Sequence, residues 1–193
     1  MNAFAEGYAH EDYFMQLARK NGVEVGAIDP TPAVGNFLKF ATQFTGAKSV
    51  VEIGTNSGVG GLWVLQGLPN DGVLTTIDDE VQHSQIAKEA MLDADISSAR
   101  YRLITNSPLE VMRKLADRAY DLVVLRSNQE SILDQIDEAH RILRTGGILA
   151  IDRYFGSGKV SDPAQRDEKS VALRDAGKSL RMNSEVWSIT LNP

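Results

Sequence analysis

Several kinds of chemistry are excluded by what the 193-residue sequence lacks. It contains no cysteine, so disulfides, thiolate metal sites and cysteine nucleophiles are all excluded. Its three histidines, His10, His83 and His140, lie far apart and show no metal-binding spacing. No apolar run approaches the roughly 20 residues that span a bilayer, and the N-terminus has no apolar core of the export-signal type. We therefore expect a cytoplasmic protein with no membrane partner.

Positive charge is also scarce. The chain has 20 Lys and Arg against 26 Asp and Glu, which gives a net charge of −6 at pH 7. Nucleic-acid binding needs a basic face, so this balance argues against a nucleic-acid partner. The length predicts a single domain over residues 1–193.

The order of the predicted elements indicates an α/β fold. Two helical patterns, at about Glu11–Lys20 and Pro32–Phe44, form a helical cap over residues 1–45. Residues 46–193 then alternate between strand and helix, which predicts a mostly parallel, doubly wound sheet. The predicted strands are Ser49–Ile53, Val73–Ile77, Arg100–Ile104, Asp121–Leu125 and Ile148–Ile151; the predicted helices are Gly60–Gly67, Val81–Asp93, Pro108–Ala116, Gln129–Leu143 and about Ala164–Gly177, before a last apolar stretch, Val186–Leu191.

The glycine turn, residues 54–61, is the strongest local signal of a ligand site. Four glycines follow a short apolar strand that ends in Glu52, and a helical pattern comes next. The turn lacks the Gly-Lys-Ser/Thr end of a P-loop and the Gly-x-Gly-x-x-Gly spacing of a dinucleotide site. This favours a nucleoside without phosphates, such as S-adenosylmethionine, and disfavours a nicotinamide-dependent oxidoreductase. Glycine turns are also built for close packing alone, and that alternative stays open.

Asp78 ends the second predicted strand, 24 residues after Gly54. An acid at this position can accept both hydrogen bonds of a ribose diol. The alternative is a helix cap, since Asp78 or Asp79 precedes the helix that starts at Val81. The two roles are compatible.

These motifs together resemble the class I S-adenosylmethionine-dependent O-methyltransferases, in the branch of the catechol and caffeoyl-CoA enzymes and their small bacterial relatives. The resemblance covers about Pro30 to Pro193 and implies a Rossmann-like methyltransferase fold and a homodimer. The family's last turn and strand have no counterpart before Pro193, so either the chain lacks that strand or the sequence is incomplete. A missing strand would favour a partner that covers the sheet edge. The resembling segments are residues 35–38, 46–58, 74–78, 119–123, 143–147 and 158–163.

The resemblance implies a set of cofactor contacts. Glu52, Gly54 and Thr55 would hold the methionine end of S-adenosylmethionine, and Asp78 the ribose, with Asp79 also expected at the cofactor site. The remaining positions implied to lie near the cofactor are Pro30, Gly58, Gly60 (where the family often has serine), Ser107, Pro108 and Arg126.

The reaction centre departs from the family pattern. Family members hold a divalent metal with an acid after strand four and an Asp-Asn pair after strand five, but the matching positions are Arg126, Asp152 and Arg153. Arginine has no lone pair for a metal, so we expect no metal cofactor. The lysine often proposed as the base is replaced by Gln129.

Two hypotheses follow from these replacements. In the first, the protein is a metal-independent O-methyltransferase of small-molecule hydroxyls, with Arg126 and Arg153 clamping an anionic acceptor and Asp152 as base. In the second, Arg126 and Asp152 form a structural ion pair at the vacated metal position, in a catalytically degenerate protein that binds S-adenosylmethionine or another nucleoside.

Overall fold

The computed structural model describes residues 6–126, 131–183, 186 and 188. Its centre is a parallel sheet of five strands in the order β3-β2-β1-β4-β5. The strands are β1 (Ser49–Ile53), β2 (Val73–Asp78), β3 (Tyr101–Thr105), β4 (Tyr120–Arg126) and β5 (Leu143–Asp152). The helices are α1 (Tyr13–Glu24), α2 (Pro32–Phe44), α3 (Val59–Gly67), α4 (Val81–Asp93), α5 (Pro108–Met112), α6 (Ile132–Ile142) and α7 (Glu168–Met182), with a 3-10 turn at Gly156–Ser161.

Alternate residues of the strands face two separate apolar layers. On one face, Val50 lies in an apolar layer with Leu38 of α2, which precedes β1, and with Trp63 of α3, which follows it. On the other face, Val51 packs with Ile136 and Leu173 of α6 and α7. Side chains of successive strand residues point to opposite faces, so both faces of the sheet are covered and the predicted doubly wound arrangement is confirmed.

The cap helices begin at capped positions. Asp12 accepts a hydrogen bond from the backbone N–H of Met15 at 2.9 Å and so starts α1. Thr31 precedes the proline that opens α2, and Asp167 caps α7. None of the helices in these described ranges is long and apolar enough to cross a membrane.

Some predicted boundaries were wrong. β5 begins at Leu143, five residues earlier than predicted, because its pairing with β4 shifts register between Tyr120 and Leu122 and carries residues 145–147 within the strand. α5 ends at Met112, and α7 starts at Glu168 because Asp167 is its cap. Gln129 and most of Val186–Leu191 lie outside the described residues.

Candidate functional site

A cavity of about 280 Å³ opens at the carboxyl ends of the central strands. It lies where the strand order reverses between β1 and β4, which is where open α/β sheets bind ligands. Three acids, two arginines and a histidine contribute to its wall. The lining residues are Ile28, Gly54, Asn56, Asp78, Asp79, Glu80, His83, Arg126 and Arg153.

The glycine turn owes its shape to residues with positive φ. Gly54 has φ +87°, Asn56 +50° and Gly58 +90°, values that most side chains disfavour. A Cβ on Gly58 would lie 3.0 Å from the backbone of Ala87, so this glycine also lets α4 pack closely against the turn. The packing alternative therefore holds at Gly58, while a cofactor contact there stays a prediction.

Asp78 is buried at the end of β2, with 4% of its surface exposed. Its Oδ2 accepts the backbone N–H of Asn56 at 2.9 Å, and its Oδ1 accepts that of Glu80 at 3.0 Å. The imidazole Nδ1 of His83 lies 3.4 Å from the same Oδ1. These bonds hold the carboxylate at the cavity wall. The capping prediction was wrong, because Glu80 is the N-cap residue of α4 and, among the described residues, no side chain accepts a hydrogen bond from its first turn. Asp79 is exposed and lines the cavity.

Arg126 is the centre of a buried ionic cluster. With 2% of its surface exposed, it donates from Nη2 to Glu52 at 2.7 Å and from Nη1 to Asp152 at 2.8 Å. Its Nε donates to the carbonyl of Gly54 at 2.9 Å. Glu52 is also held on its other side by the Thr76 hydroxyl at 2.8 Å. The ion pair between Arg126 and Asp152 that one hypothesis expected is therefore present, with Glu52 as a second partner.

Burial and charge act against each other in this cluster. Burial raises the pKa of Glu52, although the attraction of Arg126 and the hydrogen bond from Thr76 reduce that rise. Burial alone would lower the pKa of Arg126, but the charges of Glu52 and Asp152 outweigh it and raise the pKa. Arg126 therefore remains a fixed cation between two carboxylates.

Gly60 provides the space that Arg126 fills. A Cβ at this position would lie 1.9 Å from Nη2 of Arg126 and 2.4 Å from Oε1 of Glu52. Since real Cβ atoms do not approach so closely, any side chain at position 60 would displace the guanidinium. The observed position of the Arg126 guanidinium therefore requires glycine at position 60.

The arrangement does not fit the divalent metal of the family resemblance. The Arg126 guanidinium occupies the space between Glu52 and Asp152 and offers no lone pair. No group of three His, Asp or Glu side chains suited to a metal ion occurs within the described ranges. Arg153 is exposed beside the cavity and has φ +58°.

Other predicted contacts lie away from the cavity wall. The hydroxyl of Thr55 is buried against that of Thr76 at 2.7 Å. Pro30 is buried, and its carbonyl accepts a hydrogen bond from Arg19 at 2.6 Å. Ser107 and Pro108 form the start of α5. Their cofactor contacts stay predictions.

Asp29 is the main residue of this region that the sequence did not indicate. Its Oδ1 accepts the backbone N–H of Ser57 at 3.1 Å, and its Oδ2 accepts the Ser57 hydroxyl at 2.6 Å. Burial raises the pKa of Asp29, with the Ser57 hydroxyl and Arg126 acting in the opposite direction. It lies in a Gly- and Pro-containing loop far from the turn in sequence, and only the folded chain brings the two together.

Both the fold and the sequence of this chain are similar to those of known proteins. The fold is that of the Rossmann-like methyltransferases. A Corynebacterium glutamicum protein of known structure superposes on this chain with a TM-score of 0.85 at 29% identity, over 95% of this chain and 86% of that one. Residues 8–192 match the model of a family described as O-methyltransferase. The chain therefore belongs to the O-methyltransferase family.

Two further relatives bear on the site. A Mycobacterium marinum protein, assigned to the O-methyltransferases by name only, is 42% identical over 178 residues, or 92% of this chain and 80% of its own length. The O-methyltransferase TomG of Streptomyces achromogenes, solved with S-adenosylmethionine, has a TM-score of 0.84 at 23% identity, over 94% of this chain and 83% of its own. The second likeness shows the fold alone.

Proposed function

We propose that this protein transfers a methyl group from S-adenosylmethionine to a hydroxyl of a small molecule without using a divalent metal. The observation that carries the proposal is the buried guanidinium of Arg126, 2.7 Å from Glu52 and 2.8 Å from Asp152, beside the cavity. Family membership supports the reaction. The Arg126 guanidinium supports the metal-free part, because it fills the space between the two carboxylates and supplies no ligand for a metal.

The cavity suits the nucleoside and the sulfonium of this cofactor. Asp78 presents a buried, fixed carboxylate toward a ribose, and Asp79 lies next to it. Acids outnumber arginines in the cavity wall, which favours a ligand carrying a cationic sulfur. S-adenosylmethionine supplies an electrophilic methyl group on that sulfur. Its presence in the crystals of TomG supports the choice of cofactor by fold analogy.

Asp152 and Arg153 would act on the methyl acceptor. Arg126 fixes Oδ2 of Asp152, so the carboxylate is held at the end of β5 to accept the proton that the acceptor hydroxyl loses as its oxygen attacks. The exposed Arg153 next to it would bind an anionic group of the acceptor in a bidentate way. This pairing favours acceptors that carry a carboxylate or phosphate near the hydroxyl.

A catalytically degenerate nucleoside-binding protein is the second candidate, and one observation favours it. The family resemblance assigns Glu52 and Gly54 to the methionine end, and Arg126 donates to the carboxylate of the first and to the carbonyl of the second. If Arg126 keeps these bonds when the ligand arrives, only the nucleoside part is held firmly.

Calorimetric titration with S-adenosylmethionine, S-adenosylhomocysteine, adenosine and NAD separates the candidates. A methyltransferase should bind the first two at least about tenfold more tightly than adenosine. Equal affinity for S-adenosylhomocysteine and adenosine, with no methyl transfer to a panel of phenols and hydroxy acids, would favour the degenerate protein. Tight binding of NAD alone would contradict both candidates.

A further inference from the structure

Two consecutive backbone N–H groups of the glycine turn are bound by the protein's own acids. The N–H of Asn56 donates to Asp78 at 2.9 Å, and that of Ser57 donates to Asp29 at 3.1 Å. The hydroxyl of Ser57 adds a 2.6 Å bond to Asp29. Three donors at the turn are therefore already paired with carboxylates.

Such donors have another use in α/β proteins. Backbone N–H groups in a turn that leads into a helix form an anion site, and ligand phosphates bind there. The turn precedes α3, and the positive φ of Asn56 and Gly58 gives it the backbone conformation of such sites. Asp29 supplies a carboxylate where a phosphate would otherwise pair with the Ser57 N–H.

Asp29 is held in place by its neighbours in the chain. The N–H of Ile28 donates to the Asn56 side chain at 2.9 Å, and the carbonyl of Pro30 accepts from Arg19 at 2.6 Å. With the residues on both sides anchored, the backbone at Asp29 is fixed, and the two bonds from Ser57 hold its carboxylate. Ile28 and Asn56, the chain neighbours of Asp29 and Ser57, line the cavity, so the carboxylate lies directly behind its wall.

We propose that Asp29 is a specificity-determining residue that makes this site reject phosphorylated nucleotides and accept nucleosides whose 5′ substituent is neutral or cationic. The proposal rests on the proposed function only in taking a nucleoside as the ligand. The exclusion works through charge, because a phosphate at the turn would lie close to the carboxylate and would find the Ser57 donors already taken. Two like charges about 5 Å apart at a partly buried site should lower affinity by at least about tenfold.

The test is calorimetric titration of AMP, adenosine and S-adenosylhomocysteine into four proteins. These are the wild type, Asp29→Asn, the charge-retaining Asp29→Glu, and Asp93→Asn, which removes an exposed acid at the far end of α4. The wild type should bind AMP at least about tenfold more weakly than adenosine. Asp29→Asn should bind AMP at least about tenfold more tightly than the wild type does, while Asp29→Glu and Asp93→Asn keep the wild-type preference.

Two results would overturn the proposal: equal affinity of the wild type for AMP and adenosine, or an AMP affinity that Asp29→Asn leaves unchanged. If Asp29→Asn does not fold, Asp29→Ser removes the same charge and takes its place in the comparison. Failure of the wild type to bind S-adenosylhomocysteine would reject the proposed function alone. The AMP affinity of Asp29→Asn against that of the wild type would still decide the role of Asp29.

Discussion

Alanine at position 60 should destabilise the protein through Arg126 and not through the backbone. Gly60 lies in the first turn of α3 without a positive φ, so its backbone conformation accepts alanine. The added Cβ would lie 1.9 Å from Nη2 of Arg126, and the guanidinium would have to leave Glu52. We expect a loss of about 3 kcal/mol in the free energy of unfolding, combining overpacking with partial loss of a buried ion pair.

A double-mutant cycle measured by urea unfolding tests this cause. Arg126→Ala alone should cost about 3–5 kcal/mol because it leaves buried carboxylates unpaired. In that background Gly60→Ala should cost less than about 1 kcal/mol, so the two sites should be coupled by about 2 kcal/mol. The control is Gly67→Ala at the other end of α3, where a Cβ would lie 2.7 Å from the backbone carbonyl oxygen of Lys39. Its loss of unfolding free energy should be equal in both backgrounds. Penalties of Gly60→Ala and Arg126→Ala that add within about 0.5 kcal/mol would refute the reasoning.

Three further changes give independent checks. Arg153→Ala should lower kcat/KM at least about tenfold for an anionic acceptor and leave that for a neutral acceptor nearly unchanged; an equal loss for both would contradict the clamp. Thr76→Val should lower the free energy of unfolding in urea by about 1–3 kcal/mol, since it removes one hydrogen-bond donor from the buried Glu52 carboxylate. A loss near zero would show that this bond does not stabilise the fold. Burial acts to raise the pKa of Asp121, but the Arg144 guanidinium and two backbone N–H groups outweigh it and lower that pKa. Because a lowered folded-state pKa contributes stability that is lost as pH falls through it, Asp121→Asn should be less stable than the wild type at neutral pH, and the difference should vanish in acid. A difference that persists below about pH 2 would contradict this origin.

Much of the fold could be predicted because its signals are local. The bounds of β1 and α4 match the structure, since a short apolar run and a periodic helix each end at a glycine or an acid. The start of β5 was missed because a register shift against β4 depends on strand pairing and leaves no local pattern. The start of α7 was missed because several polar residues before it could have capped a helix, and only Asp167 does.

The candidate site could be predicted in part. Asp78, Gly54 and Arg126 reach the cavity because each ends a parallel strand, and the carboxyl ends of parallel strands meet at one edge. The need for glycine at position 60 could not be predicted, because it follows from the register of β1 against β4. That register aligns Glu52 with Val124, two residues before Arg126. The position of Asp29 could not be predicted either, because it depends on how the loop between α1 and α2 packs on the glycine turn. The homodimer and the cytoplasmic location stay predictions.

The most direct test of the central claim is methyl transfer from S-adenosylmethionine by protein stripped of metals with a chelator, compared with the same protein after addition of Mg²⁺ or Mn²⁺. Product is measured by mass spectrometry over acceptors that carry a hydroxyl next to an anionic group. With Arg126 holding Asp152 at 2.8 Å, the account predicts the same turnover in both conditions. Turnover that is abolished by the chelator and restored by the metal would contradict it.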